Sequence, residues 1–330
     1  MCMPMQYFII VLTGFLSGVF LVTLLKKFSL SHNLLIAKGI PLVGGIGLGL
    51  SFLLISLSIL FIYRGLSREI IGLIVSSGLM LAFGVIDDWK ELSVQAKFLV
   101  QIIATSLLIF FGIRTEIVYI GKLFNIIITF VWVLGITNAL NHLDVMDGVA
   151  SGTAIIVSCA FFIISFLHGD TKTAILALIL AGAVFSVFLY NFPPAKIYMG
   201  NSGSHFLGFV LAAIALILSY APLERKAALL SPLLILGFPV FDTTFLILTR
   251  IIKQNLPFNK SNDHLTLRFL TLGHSKKRTL FIMLGLCLFF CLSGILVSQV
   301  SNLWGIGTVA LAVFISLAVI IKINKVVVNG

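Results

Sequence analysis

The chain has 330 residues, of which 60% are hydrophobic and only 10% charged, with a mean hydropathy of +1.18. That balance lies outside the range of soluble domains and excludes one here. In a soluble protein 22 Lys and Arg against 11 Asp and Glu would point to nucleic acid. In so apolar a chain the excess reflects membrane topology and anionic lipid, and no nucleic-acid partner is expected.

Eleven apolar runs follow in chain order, at about 6–25, 40–62, 69–86, 97–113, 121–140, 149–168, 173–190, 204–220, 227–251, 279–298 and 303–321. Each is long enough for about 30 Å of hydrocarbon. Barrel strands are about ten residues long and alternate in polarity, so the runs predict helices and an all-α polytopic membrane protein. The whole chain reads as a single transmembrane catalytic domain with a long basic loop over 252–278. No basic residue precedes the first run and no small-residue cleavage pattern follows it, which predicts a retained helix rather than a signal peptide. Cys2, Cys159, Cys287 and Cys291 form no C-x-x-C pair and read as packing or lipid contacts.

Assigning the loops after the odd-numbered runs to one side collects 15 of the 22 basic residues there. By the positive-inside rule that side is cytoplasmic, with the N-terminus outside and the C-terminus cytoplasmic. The aspartates Asp87, Asp88, Asp144, Asp147, Asp242 and Asp263 fall in or beside the same connections. Carboxylates are costly beside hydrocarbon, so chemistry is expected on that face.

Four segments carry it. In "GVIDDWKELSVQAK" (84–97) the adjacent Asp87 and Asp88 repel each other unless a cation is near, which points to a divalent metal or a shared proton; a solvated helix end beside Lys90 is the plainer alternative. In "NALNHLDVMDGVASG" (138–152), if helical, Asp144, Asp147 and Asn141 share a face; a helix cap would explain one Asp but not the set. "NFPP" ends one helix and "KIYMGNSGSHFLGF" (196–209) offers amides and hydroxyls where the next begins, which suits a phosphate or a metal-bound phosphate, though many membrane turns are Gly- and Ser-rich. The basic stretch 250–278 places His264 and Arg268 four apart, where both would point at one anion if helical. An amphipathic strap with Leu265, Leu267, Phe269 and Leu270 in the lipid interface is compatible with this.

With "IPLVGG" and "PVFDTTFLILTR", these segments in this order resemble the polyprenyl-phosphate N-acetylhexosamine-1-phosphate transferases. The resemblance implies ten or eleven helices in a bacterial inner membrane. It also implies transfer of a sugar-1-phosphate from a UDP-N-acetylhexosamine to undecaprenyl phosphate on the cytoplasmic face, starting a cell-envelope glycan and releasing UMP. Mg²⁺, or Mn²⁺ in its place, is the implied cofactor, and a homodimer is compatible with such a chain. The resemblance places Asp87 and Asp88 at the reaction centre and gives Asn141, Asp144 and Asp147 the nucleotide-sugar. It places Tyr198 on the uracil, and Lys38, Lys97, His264 and Arg268 on phosphate. Where the family carries a metal-binding aspartate this chain has Asn201, so the implied metal set is Asn201, Asp87 and Asp88. Leu267 and Val145 also depart from the family pattern, and the peptidoglycan branch's multi-histidine stretch reads "HLTLR" here.

Asn201 keeps a second reading in view, a catalytically silent relative that binds lipid phosphate or nucleotide-sugar as a regulator. A transporter fits poorly, because nearly every acid lies at a helix end on one side. The topology predicts that a single cysteine at Ser93 reacts with an impermeant thiol reagent only in opened cells, whereas one at Asp170 reacts in intact cells. Labelling of both from one side would refute it.

Overall fold

The computed structural model describes residues 3–62, 65–220, 224–252, 254 and 263–323. The order is α1 (Met3–His32), a hairpin of β1 (Ile36–Ala37) and β2 (Ile40–Pro41), α2 (Gly44–Ile62), α3 (Arg68–Trp89), α4 (Val94–Phe110), α5 (Gly121–Leu143), α6 (Val149–Leu167) and α7 (Thr171–Asn191). Then come α8 (Gly200–Ile217), a 3-10 turn (Lys226–Leu230), α9 (Ser231–Ile235), α10 (Gly237–Ile252), α11 (Leu265–Thr271), α12 (Lys276–Gln299) and α13 (Asn302–Ile323). The protein is all-α apart from the short hairpin and crosses the membrane many times.

Each of the eleven apolar runs is mostly helix, the second only from Gly44 on because Ile40–Pro41 form β2, and not all become simple spans. Among the described residues nine helices are long and apolar enough to cross a membrane. The fourth run, α4, has 17 residues and reaches about 26 Å at 1.5 Å per residue. The ninth run is broken, with α10 turning 71° away from the Lys226–Ile235 segment. Leu236 closes the first piece by donating to Pro232 O, and Pro239, which has no N–H, sits in the first turn of α10 where none is needed.

Burial grades from the centre outwards, since α7 and α8 each have 78% of their apolar window buried and α13 only 11%. α7 packs against α1, α2 and α6, and α8 against α2, α3 and α5. Side-chain caps set several boundaries: Ser67, Ser93, Asp170 and Ser275 each accept an amide from the first turn of α3, α4, α7 and α12.

The start of α8 is held closely on two sides. A Cβ on Gly84 of α3 would run into the Ser202 backbone, and one on Gly45 of α2 into the Gly203 backbone. Gly44 N and Gly45 N donate to Tyr198 O and Met199 O at 3.0 and 2.9 Å, so α2's free amides bind the irregular segment that leads into α8. The segments singled out in the sequence therefore meet at one end of the bundle.

α11 does not behave as a lipid strap. Leu265 is fully buried, Phe269 and Leu270 pack on the core, and the helix lies against α10 and α12. Part of the 252–278 loop, residues 253 and 255–262, falls outside the described residues. Cys159, Cys287 and Cys291 are free thiols, the last two buried, and Cys2 lies outside the described residues.

Gly84→Ala should lower the thermal midpoint of the protein in detergent, at a cost of about 1–3 kcal/mol for overpacking. Gly135→Ala, where an added Cβ meets nothing within 4 Å, should leave the midpoint unchanged or raise it slightly. Equal effects would mean that the contact between α3 and α8 is not tight.

Candidate active site

A cavity of about 850 Å³ opens where the four segments converge. Nine of the eleven residues expected at the site line it: Lys38, Asp87, Asp88, Asn141, Asp144, Asp147, Tyr198, Asn201 and His264. Lys97 and Arg268 are not among its lining residues.

Asp88 sits one residue before the end of α3, and its carboxylate accepts Asn201 N at 2.7 Å and Ser202 N at 3.0 Å. Those are first-turn amides of α8, unsatisfied by the helix itself and at the positive end of its dipole. The polar stretch at 200–204 thus turns much of its anion-binding capacity on the protein's own carboxylate, where the sequence pointed to a ligand phosphate. Within that turn Ser204 Oγ donates to Asn141 Oδ1 at 2.8 Å, which ties α8 to the end of α5. His205 is fully buried behind the turn, its Nδ1 3.1 Å from Asn201 O, and does not line the cavity.

Asp87, one residue earlier, points another way. Its Oδ2 lies 2.6 Å from Lys97 Nζ and its Oδ1 accepts Leu92 N at 2.8 Å. The Asp87 side chain has no exposed surface, while Lys97 retains 21%. The adjacent carboxylates escape mutual repulsion by diverging, one to a cation and one to a helix start. Lys97, expected on phosphate, spends its charge on Asp87.

Asp144 and Asp147 do not share a helical face. α5 ends at Leu143, Asp144 is its C-cap, and α6 begins at Val149. Both aspartates reach the cavity from the intervening turn. The turn is pinned by Asn191, whose Oδ1 accepts Gly148 N at 2.9 Å and Ser151 Oγ at 3.0 Å while its Nδ2 donates to Ile197 O at 3.1 Å. Asp147 Oδ2 accepts Ala195 N at 3.3 Å and lies 3.6 Å from Lys276 Nζ. Among the described residues the Asp144 carboxylate has no hydrogen-bond or ion-pair partner. Burial first, and then the charges of Asp88 and Asp147, push it well above the usual carboxylate range.

Two further walls complete the cavity. Lys38 is exposed at the hairpin tip, where it and Gly39 have φ of 51° and 77°, the signature of a type I′ turn. Tyr198 is held through its own backbone, donating to Pro41 O at 2.9 Å and accepting Gly44 N. Opposite them, His264 begins α11 and lies 6.2 Å ring to ring from His142, another lining residue. Arg268, four residues on, faces elsewhere. It is buried, donates to Ile323 O at 3.1 Å, lies 3.4 Å from Asp263 Oδ1 and stacks on Phe245 at 4.8 Å. His264 and Arg268 therefore do not converge on one anion.

Residues 70–219 match the family model for glycosyl transferase family 4. The match takes in 150 of the 330 residues, a little under half of the chain. It holds Asp87, Asp88, Lys97, Asn141, Asp144, Asp147, Tyr198 and Asn201, while Lys38 and His264 lie outside it. The chain is 28% identical over 238 residues, 70% of its length, to a Bacillus subtilis protein named "probable undecaprenyl-phosphate N-acetylglucosaminyl 1-phosphate transferase", covering 66% of that protein. It is 32% identical over 239 residues, 64% of its length, to the decaprenyl-phosphate N-acetylglucosaminephosphotransferase of Mycolicibacterium smegmatis, covering 59% of it. It is also 32% identical over 209 residues, 54% of its length, to a phospho-N-acetylmuramoyl-pentapeptide-transferase of Streptococcus equi, covering 60% of it. The alignments thus span less than two thirds of each relative.

His142, Asn191 and Lys276 were not expected at the site. His142 and Asn191 stood inside the quoted segments but carried no spacing signal, and Lys276 was one of several clustered lysines. The Asp87 pair yields a stability test. Lys97→Met should destabilise the protein by about 3 kcal/mol, the typical cost of stranding a buried charge. Asp87→Asn combined with Lys97→Met should recover most of that loss in chemical denaturation; additive losses would show that the two side chains do not depend on each other.

Proposed function

We propose that this cavity is the active site of a transferase that moves a sugar-1-phosphate, N-acetylhexosamine-1-phosphate in our reading, from a UDP-sugar to polyprenyl phosphate. The carrying observation is the convergence of oxygen donors from Asp88, Asn141, Asp144, Asp147 and Asn201 with Lys38 and Lys276 at one end of a membrane helix bundle. A nucleotide diphosphate-sugar is of a size with a cavity of that volume. The names of the relatives support the substrate classes. The basic excess supports a cytoplasmic opening, so that the donor arrives from water and the acceptor from the bilayer of a bacterial inner membrane.

In the reaction a lipid-phosphate oxygen attacks the β-phosphorus of the UDP-sugar, a new P–O bond forms, the bond to the bridging oxygen breaks, and UMP departs. A phosphate monoester has a second pKa of about 6, so the nucleophile is already largely dianionic at neutral pH and needs no general base. Alignment and charge balance then dominate the barrier. Asp147, Asn141 and Tyr198 hold the nucleotide, the last offering a ring face to uracil. Lys38 and His264 meet phosphate. Lys97 acts through Asp87, and both, with Arg268, serve the framework.

The donor set fits a hard divalent cation such as Mg²⁺ or Mn²⁺. Asp88, Asn201 and Asp144 present oxygen ligands, and the Asp144 carboxylate, raised by burial and then by Asp88 and Asp147, has no protein partner among the described residues. We place Asp144 in this set for that reason, and leave out Asp87, whose charge is already balanced by Lys97. When bound, the cation would neutralise charge on the diphosphate.

Membranes supplied with undecaprenyl phosphate, Mg²⁺ and a panel of UDP-sugars should release UMP and form a lipid-linked product with one of them. Asp88→Asn should abolish turnover and leave UDP-sugar binding measurable, whereas Asp147→Ala should weaken UDP binding about tenfold or more. Equal loss of nucleotide affinity in both would mean the roles are divided wrongly. Asn201→Asp should lower the Mg²⁺ concentration for half-maximal activity, because an anionic oxygen binds a hard cation better than an amide oxygen. A wild-type protein silent at every Mg²⁺ concentration, with turnover restored by Asn201→Asp, would establish the non-catalytic reading instead.

A further inference from the structure

Asp242 lies on α10, 22 residues before His264, and its side chain is only 1% exposed. Its Oδ1 accepts Leu265 N at 3.2 Å and its Oδ2 lies 3.4 Å from His264 Nδ1. One buried carboxylate therefore brackets the start of α11 through two atoms with separate tasks, one on the backbone and one on the imidazole. An ionised carboxylate only accepts hydrogen bonds, so the ring nitrogen facing it carries a proton. Since His264 lines the cavity, Nε2 is the ring nitrogen left to serve it.

We propose that Asp242 is a positioning residue that fixes His264 in its Nδ1–H form and leaves Nε2 to meet the phosphate groups of the bound donor. The proposal rests on reading the cavity as a nucleotide-sugar site. When the ring carries protons on both nitrogens, Nε2 donates to a phosphoryl oxygen and Asp242 balances the imidazolium charge, as carboxylates behind functional histidines do. His142, 6.2 Å away, lines the same wall. The anchorage also explains how a residue borne on the long 252–278 connection reaches the pocket in register: the carboxylate that orients the ring also docks the helix it begins.

The two tasks can be separated experimentally. In Asp242→Asn the amide oxygen can still accept Leu265 N, which keeps the dock, but the amide nitrogen then faces Nδ1 and donates to it. The tautomer must flip to Nε2–H. A residue that only caps α11 would not register that substitution.

The experiment uses the full chain, labelled with ¹⁵N-histidine and held in detergent micelles, with His264→Gln identifying the signal among the six histidines. The wild-type spectrum should show a protonated Nδ1 and an Nε2 resonance that moves when UDP is added. Asp242→Asn should show the opposite tautomer. In the transfer assay Asp242→Asn should lose about 10- to 100-fold in turnover, Asp242→Glu should recover part of it, and Asp242→Asn should cost nothing more on a His264→Ala background. Wild-type His264 found as the Nε2–H form, an Nε2 signal indifferent to UDP, or a full additive loss in the double variant would each overturn the proposal. Absence of transfer with every UDP-sugar would instead remove the enzymatic reading, while the tautomer and the UDP response would still decide whether Asp242 orients a phosphate-facing histidine.

Discussion

The Asp88 carboxylate, accepting the first amides of α8, is the contact on which the arrangement of this site depends. The first amides of a helix have no partner within it, and one left buried and unpaired is costly. Asp88 satisfies two of them from the neighbouring helix and sets a carboxylate at the positive end of the α8 dipole. The glycines at 45 and 84 are consequences of that clamp, because the carboxylate can reach the amides only where the helix backbones nearly touch. With α8 fixed, the segment before it is fixed too, and so are Tyr198 and Asn201.

From that clamp follows a division of labour among acids that look alike in sequence. Asp87 and Asp88 are neighbours, yet one neutralises a lysine and the other caps a helix. Asp147 is partly satisfied by a backbone amide and a lysine. Asp144 alone of these four lacks a partner among the described residues, and its raised affinity for a proton reflects its burial first and then the anionic company it keeps. Lys38 and Lys276 line the same cavity, where their charges offset part of that of the acids.

The α10–α11 region supplies the opposite wall by a different device. The 71° bend after Ile235 turns α10 so that Asp242 reaches the start of α11, and that helix then presents His264 to the cavity while sending Arg268 into the interior. A buried guanidinium needs several acceptors, and Ile323 O on α13 with Asp263 supplies them. Arg268 thereby links the loop to the last helix.

Composition and run length alone determined the membrane character, the eleven helical stretches and the face on which polar residues gather. The reason is that about twenty apolar residues in hydrocarbon have only the helix available to satisfy their backbone. The clustering of Asp87, Asp88, Asn141, Asp144, Asp147, Tyr198, Asn201 and His264 was legible from ordered motifs at helix ends. Their partners were not. Spacing along a helix says which side chains share a face but not what that face meets, so Lys97 and Arg268 read as phosphate ligands although one pairs with Asp87 and the other with Ile323 O. Asn191 and Asp242 act through hydrogen bonds to residues brought close only by folding, and neither leaves a local pattern. Tertiary structure decided which oxygens are engaged and which remain for a ligand, because a buried carboxylate takes whichever donor the packed backbone brings within 3 Å or so, and one-dimensional order does not encode that choice.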